Sequence, residues 1–224
     1  MAPADLYSAL VLQSAPKGYW KMDDFSGNPQ DSSGNGNHMT TMTATQYRQP
    51  GPYGGMWAIL FNAGQKAQRL QVSTQLDNVT WEAWVNVVSI TSGGDEIFRN
   101  SGSGWGVLLN TNLKIQAEAP GVGTASQANT ALVASTWYHL GVVREAGIWK
   151  YYRNGAFETN AGALVPVATP NNTAINPGDF TKMYHSNVAI YDSALPESTF
   201  LAHYQAMVGV PSLGPHALGG RGAV

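Results

Sequence analysis

Cysteine is absent from the 224 residues, so no disulfide can brace the fold and no thiol can serve as nucleophile or soft metal ligand. Charge is scarce as well. Asp, Glu, Lys and Arg make up 12% of the chain, about half of the ~25% found in ordinary soluble domains. The net charge is −2 and Lys and Arg form no cluster, which removes the electrostatic basis for binding nucleic acid or an anionic membrane. Asp5 stands where a secretory signal would carry basic residues, and no long apolar run follows it. No stretch approaches the ~20 apolar residues of a membrane span. Neither a Gly-x-Ser-x-Gly elbow nor a phosphate-cradling Gly loop ahead of a helix occurs, so nucleophilic hydrolysis and nucleotide binding lack their usual supports.

What is present is an apolar share of 43% with seven Trp and ten Tyr, ample for one core. The polar surface must then be built from Asn, Thr, Ser, Gln and Gly, a composition suited to contact with sugars or with neighbouring subunits. Val79, Trp81, Ala83, Val85 and Val87 alternate with Thr80, Glu82, Trp84 and Asn86. Leu113, Ile115, Ala117 and Ala119 alternate with Lys114, Gln116 and Glu118. Period-two alternation of this length marks half-buried antiparallel strands. Further strands are predicted over 137–144 and 148–153, the second running into Asn154-Gly155, the strongest short hairpin signal.

Loops rich in Ser, Gly, Asn and Pro punctuate these strands, and the fold class expected is all-β, a two-sheet antiparallel β-sandwich of jelly-roll type. Leu6, Tyr7, Leu10 and Val11 lie at helical spacing and predict a short N-terminal helical turn. Pro196 suits a first helical position, and Phe200, Leu201 and Tyr204 give one short C-terminal helix its apolar face. Residues 1–208 are expected to form the domain and 209–224 a Gly- and Pro-rich tail.

Several segments carry a likeness. Gly18-Tyr19-Trp20-Lys21-Met22-Asp23-Asp24, Asp31-Ser32-Ser33-Gly34-Asn35-Gly36-Asn37-His38 and Trp81-Glu82-Ala83-Trp84-Val85 come first. Thr136-Trp137-Tyr138-His139-Leu140, Tyr152-Arg153-Asn154-Gly155 and Val188-Ala189-Ile190-Tyr191 follow. In this order they resemble the laminin-G-like jelly rolls of the concanavalin A-like lectin/glucanase superfamily, and the likeness runs from about Leu6 to Tyr204. It implies the sandwich fold and leaves the ligand open, because this fold hosts many functions. It also implies a Ca²⁺ site at the Asp31 loop, with Asp31, Asn35 and Asn37 as oxygen ligands. The chain departs from the family where Ser186-Asn187 replaces an acidic pair often near bound calcium, and where Pro196 replaces a helix-capping Ser. The other reading of the loop is a tight turn that Asp31 organises through its own hydrogen bonds. His38 is expected as a satisfied loop histidine, and His139 as a hydrogen-bonded member of its strand.

Glycosidase chemistry needs two carboxyl groups flanking the scissile bond. Glu82 is the only acid on the 79–87 strand, Asp95 and Glu96 face opposite sides, and the five His show no partnering pattern, so catalysis is not expected. For sugar stacking, Tyr53, Trp57 and Trp105 sit among loop Gly and Pro and are the aromatics expected at the surface. Low charge, no signal and a short tail point to a non-enzymatic virion structural protein of a bacteriophage, a capsid decoration or tail-associated protein made in the host cytoplasm. Its expected partners are other virion proteins, copies of itself and cell-surface glycans. Val210, Pro211, Leu213, Pro215 and Leu218 of the tail are the expected assembly arm, and a free carbohydrate-binding lectin is the competing reading.

Overall fold

The alternating segments do become strands, and their burial is set by what covers each face. The computed structural model describes residues 3–70, 72, 74–91, 94–100, 104–167, 172–176 and 178–209. Helix α1 (Pro3–Gln13) precedes β1 (Gly18–Trp20), β2 (Thr41–Met42), β3 (Gln46–Pro50), β4 (Trp57–Phe61) and β5 (Ala67–Leu70). Next come β6 (Val79–Ile90), β7 (Asp95–Asn100), β8 (Trp105–Leu109), β9 (Ile115–Ala119) and β10 (Gly123–Thr124). Then follow β11 (Trp137–Glu145), β12 (Ile148–Arg153), β13 (Ala156–Gly162), β14 (Asn172–Ile175), β15 (Thr181–Tyr191) and α2 (Glu197–Val208). No helix among the described residues is long and apolar enough to cross a membrane.

The strands form two antiparallel sheets. One has eight strands, ordered β13-β12-β11-β6-β15-β4-β3 with β1 also on β15; the other has seven, ordered β10-β9-β8-β7-β14-β5-β2. Asn154-Gly155 turns β12 into β13 with φ of 52° and 81°, the left-handed pair that a two-residue hairpin requires. Inward residues of both sheets, among them Trp81, Val85, Phe98, Trp105, Val107, Ile115 and Tyr151, make one core between the layers.

A second core lies on the outer face of the larger sheet. There α1 and α2 pack Tyr7, Val11, Phe200 and Met207 against Trp84, Val143, Tyr152 and Tyr191. Strand β6 is therefore buried on both faces, with Thr80, Glu82 and Trp84 all enclosed, where alternation alone predicts one solvated face. The helices also adjust the expectation for the C-terminal segment. Pro196 is the N-cap rather than the first helical residue. Leu201 is 42% exposed, and the buried face is Phe200, His203, Ala206 and Met207. The polar His203 takes the place at the interface that Leu201 was expected to fill.

Candidate functional site

Edge strand β3 is irregular. Its pairing with β4 slips between Gln46 and Gln49, and Arg48 sits in that bulge with φ +50°. A bulge re-aims side chains. Tyr47 turns to hydrogen-bond the Gly27 carbonyl at 2.8 Å, tying down the loop that carries Phe25. Arg48 lies over the Phe25 ring, 3.4 Å from its centroid, and 4.7 Å from the centroid of Trp57. Trp57 opens β4 on the same side as Ile59 and Phe61. Those two are buried in the core, whereas Trp57 lies beyond its covered end and is 37% exposed. The β3–β4 connection then shapes a groove of about 450 Å³ lined by Pro50, Pro52, Tyr53, Met56 and Trp57. A recess of about 100 Å³, with Lys21, Asp23 and Asn187 on its walls, also reaches Trp57.

Of the three aromatics expected at the surface, two are there. Tyr53 is 38% exposed and meets Trp84 edge-on at 5.5 Å, so it both lines the groove and caps the helix-covered core. Trp105 is not a surface residue. It is 0% exposed, packs between Phe98 and Trp149, and donates its indole N–H to Thr74 at 3.1 Å. As the first inward residue of β8, followed at spacing two by Val107 and Leu109, it belongs to the sandwich core. Phe25, 75% exposed, and Arg48 are the members that sequence reading missed. Only a lone aromatic after two acids and one cation in a polar strand marked them.

The Asp31 loop is organised by its carboxylate. Oδ1 accepts the backbone N–H groups of Tyr19 at 2.9 Å and Ser33 at 2.8 Å. Oδ2 accepts the Ser33 hydroxyl at 2.8 Å and the Asn37 N–H at 2.7 Å. Burial opposes the charge, but these four donors hold the carboxyl below its usual range. Two oxygens offer about four acceptor positions, and all are filled. Asn35 and Asn37 donate their side-chain N–H groups to the Pro16 and Lys17 carbonyls. The loop is thus a hydrogen-bonded turn, the other reading of its sequence, in which Asp31, Asn35 and Asn37 hold the backbone rather than one another. His38 accepts the Asp31 N–H at 3.0 Å, a satisfied loop histidine as expected.

Two polar constellations lie elsewhere. Beneath the helices, Glu82 accepts the Tyr191 hydroxyl at 2.5 Å and faces His203 Nδ1 at 3.1 Å and His139 Nε2 at 3.5 Å. Ser14 Oγ lies 3.2 Å from His203 Nε2. Burial alone would raise the Glu82 carboxyl, but the His203 charge and both histidine hydrogen bonds hold it well below the carboxylate range. Burial lowers His203, and the Glu82 charge outweighs that and raises it, favouring the imidazolium. Ser–His–acid order is present, yet a charged His203 takes no proton and Ser14 donates its own to the Leu10 carbonyl at 3.1 Å. The cluster pins both helices to the sheet. His139, expected as a hydrogen-bonded strand residue, and His203 thus meet one carboxylate from distant parts of the chain, a pairing that no sequence pattern marked.

On the outer face of the seven-stranded sheet, Arg99 stands opposite Gly106, and Gly106 opposite Glu118. The Glu118 carboxyl lies over Gly106, where an added Cβ would come within 2.9 Å of its Oε1. Burial pushes Glu118 up to about 7, with Arg99 pulling the other way. Arg99 itself clasps Glu96, donating from Nε at 2.8 Å and pairing through its terminal nitrogen. The expected assembly arm, Val210, Pro211, Leu213, Pro215 and Leu218, lies outside the described residues.

Solved structures share this fold. Domain 4 of the extracellular arabinanase AbnA of Geobacillus stearothermophilus, in complex with arabinotriose, is similar with a TM-score of 0.64 at 17% identity, over 85% of this chain and 98% of that one. The binding domain of botulinum neurotoxin serotype D gives 0.63 at 12% identity, over 87% and 52%. The sialidase of Trypanosoma rangeli gives 0.59 at 12% identity, over 86% and 33%, so this chain spans about half and a third of those two molecules. No curated protein matches in sequence. The model of the concanavalin A-like lectin/glucanases superfamily matches residues 61–199, more than half of the sequence, and the chain belongs to that superfamily.

Proposed function

We propose that this domain binds glycan without catalysis, through the Trp57 rim, and that it does so as a displayed part of a virion structural protein. The observation that carries the first half is Trp57, an aromatic face open to a groove of about 450 Å³ that Tyr53 also lines. Sugar rings pack their C–H faces on such surfaces while nearby polar groups orient the hydroxyls. Lys21, Asp23 and Asn187 supply polar groups beside it. Similar folds are known with arabinotriose and with SialylT, which supports the class of ligand. The virion setting draws its support from the sparse charge of the surface. Trp57→Ala should weaken binding of the best ligand on a glycan array by at least about tenfold, or ~1.4 kcal/mol. Unchanged binding would remove Trp57 from the site. Detection of the chain by mass spectrometry in purified phage particles checks the setting.

A second reading has one observation behind it. Glu118, pushed up to about 7, and Glu96, paired with Arg99, share a sheet face as a prospective acid and base. Glu96 is committed to Arg99, which favours binding over hydrolysis. Release of reducing sugar from a β-glucan, abolished in Glu118→Gln, would reverse that ranking.

A further inference from the structure

Arg48 differs from the ion-paired cations of the domain and is the cation among the described residues whose side-chain nitrogen is buried without a partner. Lys17, Arg99, Arg144, Lys150 and Arg153 each face a carboxylate within ion-pair distance. Among the described residues Arg48 has no ion pair and no side-chain hydrogen bond, and its Nε is buried without a partner. Leaving a partly desolvated cation uncompensated is costly. The backbone adds to that cost, because a non-glycine residue at φ +50° is strained by about 1 kcal/mol or more. Strain, a bulge and two rings together hold one guanidinium in place.

The contacts with the Phe25 and Trp57 rings spend none of the guanidinium N–H donors, and no side-chain hydrogen bond among the described residues engages them. Such a fork matches the two oxygens of a carboxylate. The nearest acids in sequence to Phe25, Asp23 and Asp24, do not fill it. Neither pairs with Arg48, and burial together with the Asp23 charge pushes the Asp24 carboxyl up. Trp57, which carries Arg48 on its ring, also fronts the groove.

We propose that Arg48 is the recognition group for a carboxylate borne by the sugar, so that the ligand class of this domain is an acidic glycan. The inference rests on the reading of Trp57 as the sugar platform. In the complex the sugar ring packs on the exposed part of Trp57 and its carboxylate takes the two terminal nitrogens of Arg48. A charge-assisted pair of this kind is strong and directional, and it weakens as salt is added.

Titration calorimetry on the full chain tests this with trigalacturonic acid, a glucuronate disaccharide and sialyllactose, each beside its carboxyl-reduced neutral counterpart. At least one acid should bind tenfold or more tightly than its neutral form. That preference should vanish in Arg48→Met, shrink in Arg48→Lys, and fall between low and high salt. Circular dichroism confirms that each variant is folded. Equal binding of acid and neutral forms, or an acid preference that survives Arg48→Met, overturns the assignment. Binding of neutral glycans alone, still lost in Trp57→Ala, also overturns it while leaving the glycan reading intact. Binding to no sugar of either kind defeats both.

Discussion

Replacing Glu82 by Gln removes one charge from the interior and leaves the shape almost unchanged. In the folded chain this carboxylate is fully buried, takes a 2.5 Å hydrogen bond from Tyr191 and faces His203 at 3.1 Å. Breaking a buried ion pair by removing one partner costs about 3–5 kcal/mol. Gln keeps one acceptor oxygen, and His203 can shed its proton, so the lower end applies, ~3 kcal/mol. For a chain of this size that lowers Tm by roughly 6–12 °C. Glu82 is held below 4.5, so its contribution is present above that value and is lost as pH falls through the folded-state pKa. His203 is raised above 6.5, so its contribution is present below that value and is lost as pH rises through its folded-state pKa. Both are complete only between 4.5 and 6.5, and the loss in Glu82→Gln should be greatest near pH 5.5 and smaller at pH 9. Urea unfolding followed by tryptophan fluorescence measures this at each pH. With His203→Asn and the double variant, the cycle should return a coupling of at least about 1.5 kcal/mol. A loss below 1 kcal/mol, or one equal at both pH values, refutes the picture of a charged latch.

Glu118 gives the opposite pH signature. Its folded-state value is raised from 4.5 to about 7, so its favourable share is present below 4.5 and is lost as pH rises to about 7. The swing is at most roughly 3 kcal/mol, and Glu118→Gln should flatten stability across that window in thermal melts. Asp31→Ala strands the four donors that its carboxylate satisfies and should cost about 2–3 kcal/mol in urea. Millimolar Ca²⁺ should leave the Tm of the unaltered chain where it is; a rise of several degrees that Asp31→Ala removes would contradict the filled carboxylate.

Strands with one clear period were legible in the sequence, and so was the 154–155 turn, because alternation and turn chemistry are local properties. Strand β6 shows the limit. Its inward residues could be read, but the burial of Glu82 and Trp84 depends on helices from both ends of the chain, and no local pattern encodes their return to this sheet. The same reason hid His139 and His203, whose common partner lies 57 and 121 residues away in sequence. Trp105 failed differently. Flanking glycines read as a loop, although residues 105, 107 and 109 form the inward face of a strand. At the rim, Trp57 was legible as an exposed aromatic, whereas Arg48 needed the bulge, a feature of pairing between strands.

The pairing of α1 with α2 gives the domain a direction. The first and last regular elements lie side by side on the eight-stranded sheet, so Pro3 and Gly209 both sit on one broad side of the domain. The seven-stranded sheet faces the opposite way. Held through those two ends, the domain would leave Glu118 and Arg99 of that sheet pointing outward. A surface for immobilising or fusing the domain is therefore already chosen by the fold.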